Sequence, residues 1–379
     1  MHIAFLTSEY PFKGLTRSGG LGTSIKNLAK GLIAQGLKVT VFVVGQQNDI
    51  VSKEEDIQLI CIAKKKHRAF NWYLERKRYQ KIIQNHVDKQ GIQLIEAPDW
   101  TGISAYMTFS IPLIIRLHGS DGYFCHLDGR PQKWKHRLLE RTALKNADAV
   151  VSVSTFTAGL TKEIFGLKTV IRTIHNGIDT DIFKPFDVEV NPGQLLYFGT
   201  LIRKKGVLEL AEIFNKVAES QPQCRLLLIG KDALDIFEKT STLSLFQKIL
   251  SPEAKKRVSY LNEVPYANVN EYIARSHIVL LPSFAEAFPM TWLETLAMEK
   301  ALVSSNVGWA NEMMVDGVTG YAINPKDHLL YAEKIIELLN DIPKCNRFGK
   351  AGRQHVIEKF SAEVITQRNI DFYNICIRQ

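Results

Sequence analysis

The sequence predicts an α/β protein with two doubly wound, Rossmann-like domains that face each other across a cleft. Short apolar, β-branched runs alternate with amphipathic stretches, which is typical of βα units with parallel sheets. A polar stretch at 175–194, with two prolines and two glycines, interrupts the alternation, which then restarts. The length of 379 residues also exceeds what a single core usually serves. We therefore expect an N-terminal domain over 1–185 and a second domain over 186–359, with ligands bound at the carboxyl ends of the strands.

The elements follow from the apolar runs taken in chain order. Runs such as HIAFLT and KVTVFVV are rich in the residues that strands favour, and amphipathic segments fill the gaps between them. The last thirty residues look helical, with an interruption near Phe360 and Ser361. The predicted strands are 2–7, 38–44, 57–63, 92–97, 112–118, 149–154, 195–200, 224–230, 257–261, 278–282 and 301–305, and the predicted helices of the first half are 22–35, 70–89, 131–146 and 155–165.

Composition is that of a soluble globular protein, with 45% hydrophobic and 23% charged residues. The N-terminus lacks the pattern of a signal peptide, and no uncharged run reaches the roughly 18 residues of a membrane span. The five cysteines are scattered, without a CxxC pair, so we expect a reducing cytoplasm.

The net charge of +9 is concentrated in two segments. Residues 64–81 hold eight lysines or arginines among aromatic residues, and a second basic stretch spans 129–145. Such patches attract polyanions, among them lipid headgroups, although a solvated helix face is the simpler interpretation. No nucleic-acid recognition motif accompanies the charge, so we expect no nucleic-acid partner.

Two glutamates in the apolar stretch FAEAFPMTWLETLAMEKA (284–301) are the strongest functional feature. Glu286 and Glu294 lie eight residues apart, and a carboxylate in such surroundings needs a partner. Pro289 suits the first turn of a helix, which places Glu286 in the preceding loop and Glu294 roughly 7.5 Å further along the axis. The amides of Ala287, Phe288 and Met290 at the helix start would attract an anion. Phosphate on the amides and sugar hydroxyls on the glutamates together describe a nucleotide sugar, whereas two surface glutamates on an amphipathic helix are the alternative.

This stretch resembles the E-x7-E signature of retaining glycosyltransferases of family 4, which have the GT-B fold of two Rossmann-like domains. The resemblance implies that Glu286 contacts the donor sugar and that Glu294 holds the ribose hydroxyls. Ala287 and Pro289 stand where the family has small glycines, and proline supplies no amide.

Other segments extend the resemblance over nearly the whole chain. The turn SGGLG supplies Gly19, Gly20 and Gly22, which permit close backbone approach to a phosphate or sugar, although a plain tight turn is equally compatible. In the family such a loop meets the donor from the first domain. The segment 303–325 is similar to the one after the second glutamate, with Trp309 in place of a glycine. The helix at about 360–379 resembles one that crosses back to the N-terminal domain.

A basic turn in YFGTLIRKKG can neutralise a diphosphate through Arg203, Lys204 and Lys205. Lys205 matches a diphosphate-binding lysine of the family, while Thr200 stands where the family has an arginine. We hypothesise that Arg203 compensates. A basic turn without a ligand is the alternative.

His118 ends the strand PLIIRLH, where the family has a histidine near the transferring sugar. The resemblance implies that His118, with Glu286, is catalytic, as a donor-sugar contact and an electrostatic aid to the transition state. Read alone, a histidine at a strand end is as readily structural. Asp121 is a candidate for orienting the acceptor hydroxyl.

Several other motifs do not predict a site. Asp179-Thr180-Asp181 spells D-x-D, but it lies in the interdomain turn and is interpreted as a turn and helix cap. No cluster has zinc spacing, and the serine-hydrolase elbow and the P-loop are absent. We expect neither a metal nor another cofactor, with the lysines, Arg203 and helix dipoles in the role that magnesium has elsewhere.

The resemblance implies transfer of a hexose from a nucleoside-diphosphate sugar, expected to be UDP-linked, with retention of configuration. The acceptor would be a hydroxyl of a glycan, lipid-linked or other molecule in the synthesis of cell-surface polysaccharide or glycoconjugate. The basic, aromatic residues Trp72, Tyr73, Arg76 and Arg78 favour a lipid-linked or acidic glycan as acceptor, at the cytoplasmic face of a membrane that 64–81 would contact peripherally. A sugar-nucleotide epimerase on the same architecture, and an inactive homologue that only binds nucleotide sugar or a partner, are the alternatives.

Overall fold

The computed structural model describes residues 1–12, 14–15 and 18–378, and it divides the chain into two compact units. The first unit comprises Met1–Gly177 and Ser361–Gln379, and the second comprises Ile178–Phe360. The division falls inside the polar stretch that the sequence marks as the junction. Both units are α/β with parallel sheets, as the alternation of apolar runs predicts.

In the first unit, eight of the described strands form one sheet in the order β3-β4-β2-β1-β5-β6-β7-β8. Neighbouring strands are parallel, except that β3 pairs antiparallel with β4. Helices cover both faces, so the central strands are buried along their length, which explains their continuous apolar runs. The strands are β1 His2–Thr7, β2 Lys38–Gln46, β3 Ile50–Glu54, β4 Ile57–Ala63, β5 Leu94–Pro98, β6 Leu113–Leu117, β7 Ala149–Ser152 and β8 Ile171–Thr173, and the helices are α1 Gly20–Ala34, α2 Asn71–Gln90, α3 Asp121–Leu127, α4 Trp134–Asn146 and α5 Thr155–Phe165.

In the second unit, six of the described strands form an all-parallel sheet in the order β11-β10-β9-β12-β13-β14. The central pair, β9 and β12, lies at the point where the strand order reverses, which is where open α/β sheets bind ligands. The strands are β9 Gln194–Phe198, β10 Arg225–Ile229, β11 Val258–Leu261, β12 Ile278–Leu281, β13 Ala301–Ser305 and β14 Gly320–Ile323, and the helices are α6 Val207–Ser220, α7 Thr242–Ile249, α8 Pro252–Lys255, α9 Tyr266–Arg275, α10 Met290–Ala297, α11 Ala310–Met313, α12 His328–Asn340 and α13 Ile342–Phe360.

The last helix, α14 (Ala362–Ile377), belongs to the first unit, as expected. Its apolar side chains join the core that packs on β1 and α1. A buried polar network fixes it further: Arg116 of β6 forms a bidentate ion pair with Glu96 of β5, at 2.7 and 2.8 Å. Tyr373 donates its hydroxyl to the same carboxylate at 2.7 Å, and Asn369 accepts a hydrogen bond from Arg116. The helix therefore completes the hydrogen bonding of two buried charges in the sheet.

Candidate active site

Two loops of the second unit meet at the carboxyl ends of the adjacent strands β9 and β12. The loop after β9 contains the 3-10 turn Arg203–Lys205, and the loop after β12 carries the first glutamate of the pair. Gly206 ends the turn at φ +69°, and a Cβ there would lie 1.9 Å from the carbonyl oxygen of Pro282, so only glycine fits. The Phe284 N–H donates to the Lys204 carbonyl at 2.8 Å. These contacts hold the basic turn against the glutamate loop.

Lys205 connects the two predicted glutamates. Its Nζ lies 3.0 Å from Glu286 Oε1, with both side chains largely buried. Ser283 Oγ also approaches Glu286 Oε1, at 3.3 Å. The Lys205 charge acts on Glu294 as well and favours its ionised form. Three residues that the sequence singled out separately, from two loops and a helix, thus form one cluster of a cation with two carboxylates.

Glu294 is a buried carboxylate that already binds a hydroxyl. It lies on α10 with only 3% of its surface exposed. Burial raises the pKa of Glu294 to about 7, although the hydrogen bond from Tyr266 and the charge of Lys205 oppose that rise. The Tyr266 hydroxyl donates to Glu294 Oε1 at 2.6 Å. The pKa of Tyr266 is in turn raised by burial and by the Glu294 charge. A ribose hydroxyl would make the same kind of contact with this carboxylate.

The helix α10 begins one residue later than expected. Pro289 has extended backbone angles, φ −71° and ψ 124°, and precedes the helix, so its predicted place in the first turn is wrong. The first turn starts with Met290, whose side chain is buried. Ala287 and Phe288 are also buried, and the Phe288 ring packs against Phe360 with centroids 5.4 Å apart. Their side chains pack inside the unit, so the anion-site interpretation concerns only their backbone N–H groups.

Arg203 is held by a carboxylate of its own unit. Its guanidinium donates to Asp235 at 2.7 and 3.1 Å and lies over the Phe237 ring. Asp235 also accepts the backbone N–H groups of Phe237 and Glu238. The hydrogen bond to Asp235 raises the pKa of Arg203. Arg203 could bind a diphosphate only by giving up this pair, so Lys205 is the better placed cation.

The glycine turn of the first unit is bonded to a carboxylate of the same chain. Glu9 Oε1 accepts the N–H groups of Gly19, at 2.9 Å, and Gly22, at 3.0 Å. A Cβ at Gly22 would lie 1.9 Å from Ser18 Oγ, whereas one at Gly20 would meet open space. An anionic ligand would have to displace Glu9 to reach these two amides.

His118 follows β6 in the first unit and is half-buried. Burial, together with the nearby positive charge of Arg116, lowers the pKa of His118 to about 3. The imidazole is therefore neutral at physiological pH. It can donate or accept a hydrogen bond, but any electrostatic help to a transition state would come from its dipole and not from a net charge.

Two buried carboxyl groups support the segment around His118. Asp99, directly after β5, accepts the His118 N–H at 2.9 Å, and burial raises the pKa of Asp99 to about 8. Glu140 of α4 accepts the N–H groups of Thr101, at 3.0 Å, and Asp121, at 2.9 Å. These bonds fix the loops after β5 and β6 relative to each other.

The Asp121 carboxylate lies 3.0 Å from His136 Nδ1. An acceptor hydroxyl would therefore share Asp121 with this histidine. Gly19, Gly20, Gly22, His118 and Asp121 all belong to the first unit, whereas the lysine and glutamate cluster belongs to the second.

Sequence reasoning missed the partners that hold these groups: Glu9, Asp99, Glu140, Asp235 and Tyr266. Asp99 could have been found by position, because it follows a predicted strand at the same sheet edge as His118. Glu9 could have been found in the same way, because it follows the predicted strand 2–7 and lies close in sequence to Gly19 and Gly22. No local pattern marks Glu140, Asp235 and Tyr266 as partners of the groups they bind.

Asp179 takes the role expected of a turn cap: its Oδ1 accepts the N–H groups of Asp181, at 2.9 Å, and Ile182, at 3.0 Å. Within residues 1–12, 14–15 and 18–378, no group of three His, Cys, Asp or Glu side chains is arranged to hold a metal ion. No helix in the described part of the chain has the length and apolarity needed to cross a bilayer.

Two parallel-sheet α/β units, with a lysine and two glutamates at the strand-order reversal of one, define a GT-B glycosyltransferase. Two family models match the chain, Glycosyltransferase Family 4 over residues 18–182 and Glycosyl transferases group 1 over residues 179–355. The chain therefore belongs to the glycosyltransferases of family 4, and its activity class is that of a transferase in glycan synthesis.

Relatives and solved structures agree with this assignment. Alpha-maltose-1-phosphate synthase of Mycolicibacterium smegmatis is 26% identical over 315 residues, which cover 72% of this chain and 76% of the relative. Sucrose-phosphate synthase of Thermosynechococcus elongatus has a TM-score of 0.80 at 20% identity, covering 99% of this chain and 98% of that one. The Anabaena protein HepE in complex with UDP-glucose has a TM-score of 0.78 at 17% identity, covering 99% of this chain and 100% of that one. At these sequence identities, the two structures support the assignment of the fold and nothing further.

Proposed function

We propose that the protein transfers a hexose from a UDP-linked sugar to an acceptor hydroxyl, with retention of the anomeric configuration. The observation that carries the proposal is the placement of Lys205 beside Glu286, with its charge also acting on Glu294. In a nucleotide sugar the diphosphate lies between the hydroxyls of the hexose and those of the ribose. The cluster has a matching composition, with one cation for the diphosphate and one carboxylate for each set of hydroxyls. The complex of HepE with UDP-glucose supports a UDP-linked donor.

The leaving diphosphate is the group that catalysis has to stabilise. In the proposal, Lys205 exchanges its ion pair with Glu286 for a phosphate oxygen, and the amides at the start of α10 receive another. Glu286 is then available to a hydroxyl of the donor sugar, and Glu294 to the ribose in place of Tyr266. We propose that no metal ion takes part, since Lys205 and the helix start supply positive charge at the place where negative charge develops.

Retention follows in the proposal from attack on the face that the diphosphate leaves. The bond from C1 to the phosphate oxygen breaks, the bond from C1 to the acceptor oxygen forms, and the acceptor proton passes to the departing phosphate. The proposal does not use Glu286 as a covalent nucleophile, because its carboxylate accepts a hydroxyl of the donor sugar once Lys205 has turned to the phosphate. We assign neutral His118 a hydrogen bond to the transferring sugar and Asp121 a hydrogen bond to the acceptor. Holding the acceptor against C1 supplies the remainder of the acceleration.

For the acceptor we propose a hydroxyl of a glycan or lipid-linked saccharide in the synthesis of cell-surface polysaccharide or glycoconjugate. For the location we propose the cytoplasmic face of a membrane, contacted through the basic segment 64–81.

A thermal-shift screen of nucleotide sugars tests the donor assignment, because a ligand that binds the native state raises the melting temperature. UDP-sugars should stabilise the wild-type protein. Lys205→Ala should reduce that shift, whereas Lys256→Ala, which removes an exposed lysine–glutamate pair of the same unit, should leave it unchanged. An equal shift in all three proteins would contradict the assignment of Lys205.

Product analysis separates the proposed reaction from its rivals. NMR of the anomeric proton should show a glycoside with the configuration of the donor, and an inverted glycoside would refute retention. An isomerised nucleotide sugar without glycoside would identify an epimerase. Tight donor binding with neither transfer nor slow hydrolysis of the donor would identify an inactive homologue.

A further inference from the structure

The two basic segments of the sequence come together in the first unit. The helices α2 and α4 meet near their N-terminal ends, where the Trp72 and Tyr106 rings pack on the buried cluster of Ala105, Leu139 and Ala143. Lys135 Nζ of α4 lies 5.5 Å from the centroid of the Trp72 ring of α2. Segments that are far apart in the sequence therefore form one continuous surface.

Large apolar side chains project from this surface into solvent. Phe70 is 72% exposed and Trp134 is 77% exposed, one at the start of each helix. Leu74 and Leu138 lie one helical turn further on, four residues after each aromatic, and are also exposed. We call these four residues the apolar tip.

The backbone at Phe70 adds to this observation. Phe70 caps α2 in the left-handed conformation, with φ 49° and ψ 33°, which a bulky side chain rarely adopts. A conformation of this kind persists where the surroundings impose it, and it is found disproportionately at functional positions. Here it carries an aromatic ring that has no burial to offset the strain.

Exposed cations flank the apolar tip along the chain. They come from the loop before α2 and from the residue that precedes α4, and all are exposed to solvent: Lys64, Lys65, Lys66, Arg68 and Lys133. We call them the basic rim. The carboxylates nearest in sequence do not neutralise the rim, because Glu75 is paired with Arg78 and His67, Asp128 is paired with Arg130, and Glu140 is fully buried.

The structure also revises which residues of 64–81 can meet a partner. Arg76 donates to the carbonyl groups of Thr101 and Gly102, which makes it a structural residue. Arg78 is bound to Glu75. Neither of the arginines that the sequence singled out is therefore available, and the exposed groups are those of the tip and rim.

The surface lies at the edge of the sheet that bears His118. The loop before α2 leaves the carboxyl end of β4, and His118 leaves the carboxyl end of β6. Because β4, β2, β1, β5 and β6 are parallel in turn, these ends share one edge. Helices that follow parallel strands run back from that edge, so α2 and α4 begin there.

We propose that the protein docks on an anionic lipid bilayer by inserting the apolar tip at the headgroup boundary, while the basic rim contacts anionic headgroups. Aromatic rings beside lysines and arginines are the composition of a monotopic interfacial surface. A soluble polyanion would use the rim but would leave the tip exposed to water, whereas a bilayer uses both. The inference deepens the location given under the proposed function, because it names the lipid class and the residues that meet it. The arrangement brings an acceptor embedded in the bilayer to the edge that bears His118.

Vesicle co-sedimentation of the full chain tests the proposal. We expect binding to phosphatidylcholine vesicles that contain phosphatidylglycerol, weaker binding to pure phosphatidylcholine, and a decline with salt. The double variant Phe70→Ser, Trp134→Ser should lose at least about tenfold in partitioning. Replacing Lys64–Lys66 by glutamine should lower partitioning to the anionic vesicles about fivefold for each charge removed. Val170→Ser is the matched control, since Val170 is 87% exposed and precedes β8 at the opposite edge of the sheet.

Each outcome decides the question. Absence of binding to either vesicle, or binding that the tip variants leave unchanged, overturns the proposal. Binding to soluble dextran sulfate without binding to vesicles also overturns it, and identifies the rim as a polyanion site. Thermal shift with UDP-sugars, measured on the same variants, reports the donor site separately, so a failure of the membrane inference and a failure of the proposed transferase activity are distinguishable.

Discussion

Replacing Glu294 by glutamine should stabilise the second unit and weaken its binding of the donor. The carboxylate is buried on α10, and burial raises the pKa of Glu294 from the ordinary 4.5 to about 7. Glutamine keeps the shape and can still accept the Tyr266 hydroxyl, but it carries no charge to bury. The substitution therefore removes an electrostatic penalty together with the group proposed to hold the ribose.

The magnitude follows from proton linkage. Between pH 4.5 and 7 the native state keeps a proton on Glu294 that the unfolded chain has released, so this group contributes less to stability as the pH rises through that window. A shift of this size corresponds to at most about 3 kcal/mol in the free energy of unfolding above pH 7. Below pH 4.5 both states are protonated and the penalty disappears. For a unit of this size, about 3 kcal/mol corresponds to roughly 6–12 °C in melting temperature.

Differential scanning calorimetry at pH 5 and pH 8 measures the effect. Glu294→Gln should exceed the wild type in melting temperature at pH 8, and the advantage should shrink at pH 5. Glu253→Gln is the matched control, because Glu253 is exposed and paired with Lys256. Titration with a UDP-sugar should show roughly tenfold to hundredfold weaker binding to Glu294→Gln, since a hydrogen bond to a charged group is lost. A variant that is less stable than the wild type at pH 8, or that binds the donor normally, would refute the reasoning.

Three further predictions concern neighbouring groups. Lys205→Ala should weaken UDP-sugar binding by roughly tenfold or more in calorimetric titration, because a charge-assisted hydrogen bond to the diphosphate is removed; affinity equal to that of Lys256→Ala would contradict it. Tyr266→Phe should raise the pKa of Glu294 further, since the hydroxyl that favours the ionised form is gone, and the pH dependence of the melting temperature should extend to higher pH. Transferase activity of the wild type should fall above about pH 8 as Asp99 ionises beside His118, whereas Asp99→Asn, which cannot ionise, should keep its activity there. If the activity of both proteins falls equally at alkaline pH, ionisation of Asp99 is not the cause.

The strands of both units were largely predictable because they are buried on both faces. The runs at 57–63 and 301–305 match β4 and β13 residue for residue, since most residues of a strand that helices cover on both sides are apolar. The elements that were missed are short or lie at an edge. β3 alternates between partly exposed and exposed residues, β8 has three residues, and α3 follows a predicted strand too closely for helical periodicity to be detected.

The candidate site was predictable in its residue types but not in its pairings. The spacing of Glu286 and Glu294 marked them as carboxylates in apolar surroundings, and the structure buries Glu294 fully and Glu286 in part. Their partner Lys205 lies some eighty positions earlier, and only the adjacency of β9 and β12 brings it to them. Tyr266 comes from a different helix again, and nothing in its local sequence sets it apart from the other tyrosines of the chain. Local sequence therefore identified the groups that needed partners, and the topology of the sheet supplied the partners.

The buried pair of Arg116 and Glu96 constrains how the molecule can be dissected. A fragment that stops at residue 177 would omit Asn369 and Tyr373, so each ion would lose a hydrogen bond, at about 1.5–3 kcal/mol for each bond to a charged group. The first α/β unit is therefore discontinuous in sequence, and an isolated version requires the segment from 361 onward to be joined to it by a linker. For the same reason, a nonsense mutation between codons 361 and 369 should abolish accumulation of the protein, although it removes no residue of the candidate active site.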